Sequence, residues 1–319
     1  MAKIHFENEA YSLNEGDSVL DTLLEAGHDI PFSCKEGACQ SCLMKLEEGS
    51  LTPESQAGLS EVQVKLGYFM SCSCKPSADL KVAQVDADQL TVESKIIAID
   101  QLNDSILRLR LEAVFDFLSG QYISIWIDDN ATRSYSIASV KAVDNFIELH
   151  IKVIPDGIFS DKYCRRLKIG DKLKIQGPIG KCIYATNDKS QALLLAGIGT
   201  GLAPLYGILR DALHQDHEGL IHLIVGAKQA SNFYLVEELN KIAAENDHVK
   251  VTFIAQENDN QSACETGDLY QYVAEQYPST KDMRVYLCGA KTFIKKLRKQ
   301  CFLAGADRDC IHMDVFLPG

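Results

Sequence analysis

Three cysteines within nine residues, in the stretch "SCKEGACQSC", constrain this chain more than any other feature. Cys34, Cys39 and Cys42 follow C-x4-C-x2-C, and "FMSCSCKP" supplies Cys72 thirty residues further on. That is the spacing of plant-type [2Fe-2S] sites, in which a loop wraps one side of the cluster and a distant thiolate closes it. Two irons bridged by two sulfides need four thiolates to become four-coordinate, so no position is left for a reactant. Such a centre carries electrons only. Gly37 relaxes the backbone between the first two ligands and lets amide N–H groups turn towards sulfur. Two other readings stand beside this one. Cys39 and Cys42 have half-zinc-site spacing, although Cys72 and Cys74 are separated by one residue, too few for a second half. Cys74 could also replace Cys72 as the fourth ligand.

Eleven cysteines in a chain whose residues 1–20 lack a basic start and an apolar core fit a cytoplasmic protein that uses thiols for metal or redox chemistry, not for disulfides. Residues 192–209, "ALLLAGIGTGLAPLYGIL", carry no charge, but four glycines and a proline make them a buried strand, a tight loop and a helix start, not a membrane span. The acidity is uneven. Residues 1–90 hold 15 acids against 6 lysines and no arginine, a net charge of −9, while the remaining 229 residues carry −3. Nucleic acid and anionic membrane are therefore not expected partners, and a basic surface on another protein is.

Three compositional blocks follow one another. Residues 1–88 alternate short strand-like runs such as "KIHFE" with "SVLDTLLEAG", a helix ending at Gly27. Residues 89–188 are rich in β-branched runs, "LTVESKIIAID", "SILRLRLEA", "QYISIWI", "FIELHIKVI" and "DKLKIQG", which predict an all-β barrel. Residues 189–319 alternate apolar strands ("ALLLAG", "IHLIVGA", "KVTFIAQ", "RVYLCGA") with helical segments, the pattern of a parallel α/β sheet. In the last block "LLLAGIGTGLAP" places Gly199, Thr200 and Gly201 between strand and helix, with Pro204 in the first helical turn. A helix N-terminus with glycines ahead of it accepts phosphate.

With these motifs in this order, the whole chain resembles the reductase components of bacterial multicomponent oxygenases, such as the benzoate dioxygenase reductases. The resemblance implies a β-grasp [2Fe-2S] ferredoxin domain, an antiparallel β-barrel flavin domain and a parallel α/β nicotinamide-binding domain. It also implies an electron path from nicotinamide through FAD to the cluster. "RSYS" matches the family's flavin motif, which includes Ser134: Arg133 on the phosphate, Tyr135 on the isoalloxazine, Ser136 near N5. Gly157, Ile158, Phe159 and Ser160 match its G-x-x-S pyrophosphate segment, and His150, Ile151, Lys152 and Val153 are expected along the ribityl side. A pyrophosphate site favours FAD over FMN. Cys288 and Gly289 fall where the family meets the nicotinamide, and Phe316 belongs to an acid-x-Phe tail in which Asp314 replaces the commoner glutamate. "GAKTF" departs from the family's prolines and methionine after that cysteine. Gly177 to Gly180 are expected as the tight turn ending the barrel. After the second strand of the α/β block stands Lys228, where a carboxylate would hold the ribose of NADH; family habit favours NADH, with NADPH left open.

The expected activity is transfer of electrons from NADH to a separate protein, with Tyr135, Ser136 and Cys288 at the hydride step. An oxygenase component is the first candidate acceptor. A deoxysugar dehydratase is the second, and a redox sensor without turnover is the reading from another class.

Overall fold

The computed structural model describes residues 2–128, 131–155, 157–257 and 264–316, without the side chains of residues 158, 161, 162 and 165. The first elements are β1 (Lys3–Phe6), β2 (Glu9–Ser12), α1 (Val19–Glu25), β3 (Leu43–Glu48), α2 (Glu61–Lys65), β4 (Tyr68–Met70), β5 (Leu80–Gln84) and α3 (Ala87–Leu90). The five strands form one sheet in the order β2-β1-β5-β3-β4, with β1 and β5 parallel at its centre. Ser18 starts α1 by accepting from the Asp21 amide, and Gly27, at φ 90°, ends it. The helix packs Val19, Leu20 and Leu23 on Ile4, Met44, Phe69 and Leu80 of the sheet. Full burial of each such side chain stabilises the domain by roughly 2 kcal/mol. This is a β-grasp, and it leaves the loop between α1 and β3, with three of the four cysteines, at one end.

Next come β6 (Val92–Asn103), β7 (Ile106–Glu112), β8 (Tyr122–Trp126), β9 (Thr132–Ser136), β10 (Phe146–Lys152) and β11 (Lys172–Ile179). Their order is β10-β7-β6-β11-β8-β9, every pairing is antiparallel, and an Ile137–Leu149 bridge closes the ring. Alternation fills the barrel with Leu109, Leu111, Ile123, Ile125, Ile147, Leu149 and Ile151. "RSYS" lies within β9. Gly177 is also not in a closing turn: it sits at an irregularity inside β11, whose pairing with β8 shifts register between Gln176 and Ile179. A strand edge bent by such a bulge can continue past it, which the turn chemistry of "GPIG" does not reveal.

The last block holds β12 (Leu193–Ile198), α4 (Leu202–His214), β13 (Ile221–Gln229), α5 (Val236–Glu245), β14 (Val249–Glu257), β15 (Glu265–Thr266), α6 (Leu269–Gln276), β16 (Arg284–Ala290), α7 (Lys291–Leu303) and β17 (Ile311–Phe316). The sheet runs β15-β14-β13-β12-β16-β17, all parallel. Successive residues of β12 feed opposite cores: Leu193 and Leu195 meet α4 and α5, while Leu194 and Ala196 meet α6 and α7. A sheet covered on both faces needs such continuous apolar strands. The uncharged stretch at residues 192–209 thus becomes β12 and the start of α4, and among the described residues no helix is long and apolar enough to cross a membrane. Strand order reverses between β12 and β16, so a crevice opens beyond their carboxyl ends.

Candidate functional site

The four thiols fall into two neighbouring pairs, Cys34 with Cys39 and Cys42 with Cys72, whose members shift one another's titration. Among the described residues no group of three or more His, Cys, Asp or Glu is placed to hold a single metal ion. Two separate pairs suit a two-iron centre, in which each iron takes two thiolates, better than one zinc. The loop supplies a second layer: the amides of Glu36, Ala38 and Cys39 donate to Cys34 Sγ at 3.4–3.5 Å, and that of Gly37 to Cys72 Sγ at 3.3 Å. Gly37 has φ 70°, and a Cβ there would stand 2.4 Å from Ser73 Oγ. Contact with the neighbouring thiol and these amides pulls Cys34 and Cys72 down, and pushes their partners up. One thiol of each pair therefore gives up its proton readily, as a ligand must. Cys74 points away into the core, hydrogen-bonded to Ser55, where burial pushes its thiol up to about 11.

At the barrel, Tyr135 packs its ring 5.3 Å from Phe159, which stacks at 5.4 Å on Tyr163. Arg133, on the same face of β9 by alternation, donates to the Thr132 carbonyl at 2.7 Å. The turn at Ile158–Tyr163 has no side-chain cap, so its first amides are left without a side-chain acceptor. Ser160 Oγ accepts from the Ile154 amide at 3.1 Å and, with Val153, lines a pocket of about 340 Å³. The Ile158 side chain lies outside the described set. An aromatic wall, a guanidinium and uncapped amides fit a flavin with a pyrophosphate.

Ser136 projects from the other side of β9 and donates to Asp314 on β17 at 2.6 Å, joining barrel to α/β sheet. Asp314 is in register with Cys288 on β16. Cys288 Sγ lies 3.8 Å from Cys182 Sγ, and burial pushes the Cys288 thiol far up, so it stays neutral. Beside it, the turn Gly199–Gly201 opens α4 without a side-chain cap. Gly199, at φ 55°, has open space where a Cβ would stand. Free amides, open space and a helix N-terminus fit the phosphates of a nicotinamide dinucleotide.

Asp314 keeps part of its surface open, yet dense surroundings push its carboxyl up to about 6, with the Ser136 hydrogen bond pulling the other way. Below that pH the carboxyl can donate to Ser136 and free the serine hydrogen to turn outward; above it, Ser136 donates to the carboxylate. The stability sign follows. The raised pKa costs nothing below about pH 4 and costs stability as the pH rises through about 6. The rate of flavin reduction by NADH is expected to bend near pH 6, and Asp314→Asn to flatten the profile over about pH 5 to 7. A bend that survives in the variant assigns it to another group.

The other residues expected at the site lie around the barrel and the α/β sheet. Ser134 meets Ser124 at 3.0 Å on the barrel's outer face, away from Tyr135. His150 is buried between Glu148 Oε1 at 3.1 Å and Tyr234 at 3.2 Å, where barrel meets α/β block. Burial pushes His150 down and leaves it neutral, so Arg110, at 2.7 Å, is the charge that keeps Glu148 ionised. Arg210 and Asp144 form a two-pronged bond at 2.8 and 3.0 Å across the same junction. Ile151 belongs to the barrel core and Lys152 is exposed. Pro204 is buried in α4, Gly289 is buried behind Ile198, and half-buried Phe316 ends β17 opposite Ala290.

Sequence reasoning missed a seam between the cluster loop and the barrel. Three successive loop carbonyls accept from barrel side chains: Ala38 from the Tyr122 hydroxyl at 2.6 Å, Cys39 from Ser124 at 3.3 Å, Gln40 from Gln176 at 3.2 Å. Ser41 then bonds Thr132. Lys291 of α7 pairs with Glu36. Only the alternation of Tyr122, Ser124 and Trp126 against Ile123 and Ile125 signals that this barrel face is not core, and nothing in it names the occupant.

Residues 4–77 match the family of 2Fe-2S iron-sulfur cluster binding domains, residues 91–184 the oxidoreductase FAD-binding domains and residues 194–299 the oxidoreductase NAD-binding domains. The chain is 28% identical to a CDP-6-deoxy-L-threo-D-glycero-4-hexulose-3-dehydrase reductase of Yersinia pestis, covering 99% of this chain and 98% of that one. It is 29% identical to reductase component 1 of terephthalate 1,2-dioxygenase of Comamonas sp, over 98% and 96%. With the ferredoxin–NAD(P)(+) reductase component of the naphthalene 1,2-dioxygenase system of Pseudomonas putida it shares 26%, over 98% and 97%. The fold is that of the Amycolatopsis cytochrome P450 reductase GcoB, with TM-score 0.70 at 23% identity over 100% and 99% of the two chains.

Proposed function

Because the chain is an oxidoreductase that joins a 2Fe-2S cluster domain to FAD-binding and NAD-binding domains, we propose that it is the NADH-dependent reductase of an oxygenase system. Bound FAD would supply the exchange between the hydride of NADH and single electrons, and a [2Fe-2S] cluster would supply one-electron transfer to a separate protein. The observation that carries this reading is the Ser136–Asp314 bond beside Cys288, which brings the end of the flavin strand to the strand ends of the α/β sheet.

In this reading Cys34, Cys39, Cys42 and Cys72 hold the cluster. Arg133 and the amides near Ser160 hold flavin phosphates, and Tyr135 walls the ring. Ser136 exchanges a proton with Asp314, and neutral Cys288 adds no charge beside the nicotinamide. The uncapped turn at Gly199–Gly201 receives the dinucleotide phosphates. Division at 88/89 and 188/189 is supported by α3, a four-residue helix between the first sheet and the barrel, and by the loop between β11 and β12.

The test is anaerobic mixing of the purified protein with NADH, then with an oxygenase component from the same cell. Flavin bleaching followed by reduction of that component supports the proposal. Reduction of a deoxysugar dehydratase instead would favour the second reading, which rests on the match to the dehydrase reductase over nearly the full chain. The cluster domain carries −9 of the chain's net charge of −12. Transfer to the acceptor is therefore expected to slow several-fold as ionic strength rises to about 0.15 M, where screening shortens to about 8 Å. A rate independent of salt would show that the charge serves solubility alone.

A further inference from the structure

The seam between cluster loop and barrel joins two sites that the chain separates widely. Tyr122 begins β8 and lies directly across from Ser136 on β9. Its hydroxyl reaches the Ala38 carbonyl at 2.6 Å. Ala38 in turn sends its amide to Cys34 Sγ at 3.5 Å, so this residue is tied to the barrel by its carbonyl and to a cluster ligand by its N–H. The Tyr122 hydroxyl is pushed up by burial, with further contributions from Asp314, Cys39 and Cys34. Tyr122 thus pairs across the strands with Ser136, which bonds Asp314, and across the seam with Ala38, which bonds Cys34.

The neighbouring contacts make the seam a built interface. Trp126 donates its indole N–H to Gln176 Oε1 at 3.2 Å, which turns the Gln176 amide nitrogen to the Gln40 carbonyl. Ser124, Thr132, Gln176 and Ser41 are all buried. Phe32 bridges Ala131 as a short parallel pairing from one domain to the other. Buried polar groups held in this way resist displacement, because breaking one bond leaves its partner without water. Tyr122 keeps some exposed surface and its ring lies against Gly180, so its hydroxyl can be removed without disturbing a core.

We propose that Tyr122 is the positioning residue that holds the cluster loop against the flavin strand and so sets the rate of electron passage between the two centres. The proposal rests on the reductase reading given above. Tunnelling falls steeply with distance, and the Tyr122 hydroxyl is the only one of the three donors that sits on the strand position facing Ser136.

Tyr122→Phe in the full-length holoenzyme tests this. Bleaching of the flavin by NADH is expected to stay within about twofold of the parent, since the nicotinamide turn and Tyr135 are untouched. Appearance of the reduced cluster, followed by its electron paramagnetic resonance signal, is expected to slow by roughly fivefold to tenfold, the worth of one hydrogen bond in the population of the docked loop. Amide exchange at residues 38–41, measured on the oxidised protein without NADH, is expected to speed by a similar factor of roughly fivefold to tenfold. Cluster reduction at the parental rate, or unchanged exchange at residues 38–41, overturns the proposal. If NADH does not bleach the flavin of the parent protein, the reductase reading falls instead, and the exchange measurement still decides whether Tyr122 holds the loop.

Discussion

Cys39→Ala is expected to abolish electron delivery to the protein acceptor, lowering it at least about 100-fold, because a ligand is lost and not merely reoriented. Cys39 is paired with Cys34 and almost fully buried against the barrel, at 4% exposure. Without it one iron would have a single thiolate from the chain. Iron and inorganic sulfide should fall together in the purified variant. Reduction of ferricyanide by NADH should persist, since a dye can take electrons from the flavin directly. Cys74→Ala is the matched control. Cys74 is fully buried in the core of the same domain, so its loss costs about 1 kcal/mol of packing, yet iron and delivery should be retained. A Cys39→Ala protein that keeps iron, sulfide and delivery would remove Cys39 from the ligand set.

Gly201→Ala is expected to be the most damaging single methyl group in the α/β block. The added Cβ would stand 2.1 Å from the Cys288 carbonyl oxygen and 2.6 Å from its carbon. Gly201 has an ordinary helical φ of −58°, so the damage is steric and not conformational. Neither wall can retreat: β16 is hydrogen-bonded to β12 on one side and β17 on the other, and Gly201 begins α4. Overpacking against fixed backbone costs about 3 kcal/mol. Thermal unfolding should show the drop, and whatever folds should have a raised KM for NADH because Cys288 has moved. Gly199→Ala separates the two effects. There the backbone has φ 55° but nothing lies within 4 Å, so the cost is about 1 kcal/mol of strain. Its KM should rise through the side chain's intrusion on the phosphates. Equal, small effects from both substitutions would refute the crowded junction of α4 and β16.

The cysteine spacing was legible because a wrapped cluster demands ligands close in sequence, the barrel and parallel sheet followed from strand periodicity and block order, and the β-grasp came only from the family resemblance. The uncharged stretch at residues 192–209 was legible for a similar reason, since a sheet covered on both faces leaves no polar positions in β12. What sequence could not supply lies in contacts between blocks. Tyr122 meets Ala38 across 84 residues and Gln176 meets Gln40 across 136, and neither sits in a motif. His150 follows the strand pattern, but its partner Tyr234 lies in the loop between β13 and α5 of the α/β block, which no local pattern reveals. Ser134 sits inside a flavin motif while its hydroxyl serves the seam, because alternate residues of β9 face opposite ways. Gly177 carried the chemistry of a turn and lies in a bulged strand, where pairing with β8 overrode local preference.

The clasp on residues 38–41 has one more implication. Cys39 and Cys42 are shut in at 4% and 2% exposure, whereas Cys34 and Cys72 are only half-buried. A carrier moored on one flank behaves as a fixed wire and not as a ferry, so the traffic of swinging a domain between stations is absent. Throughput should then be indifferent to solvent viscosity up to the point of collision, and the whole burden of approach passes to the incoming protein at the Cys34 and Cys72 flank.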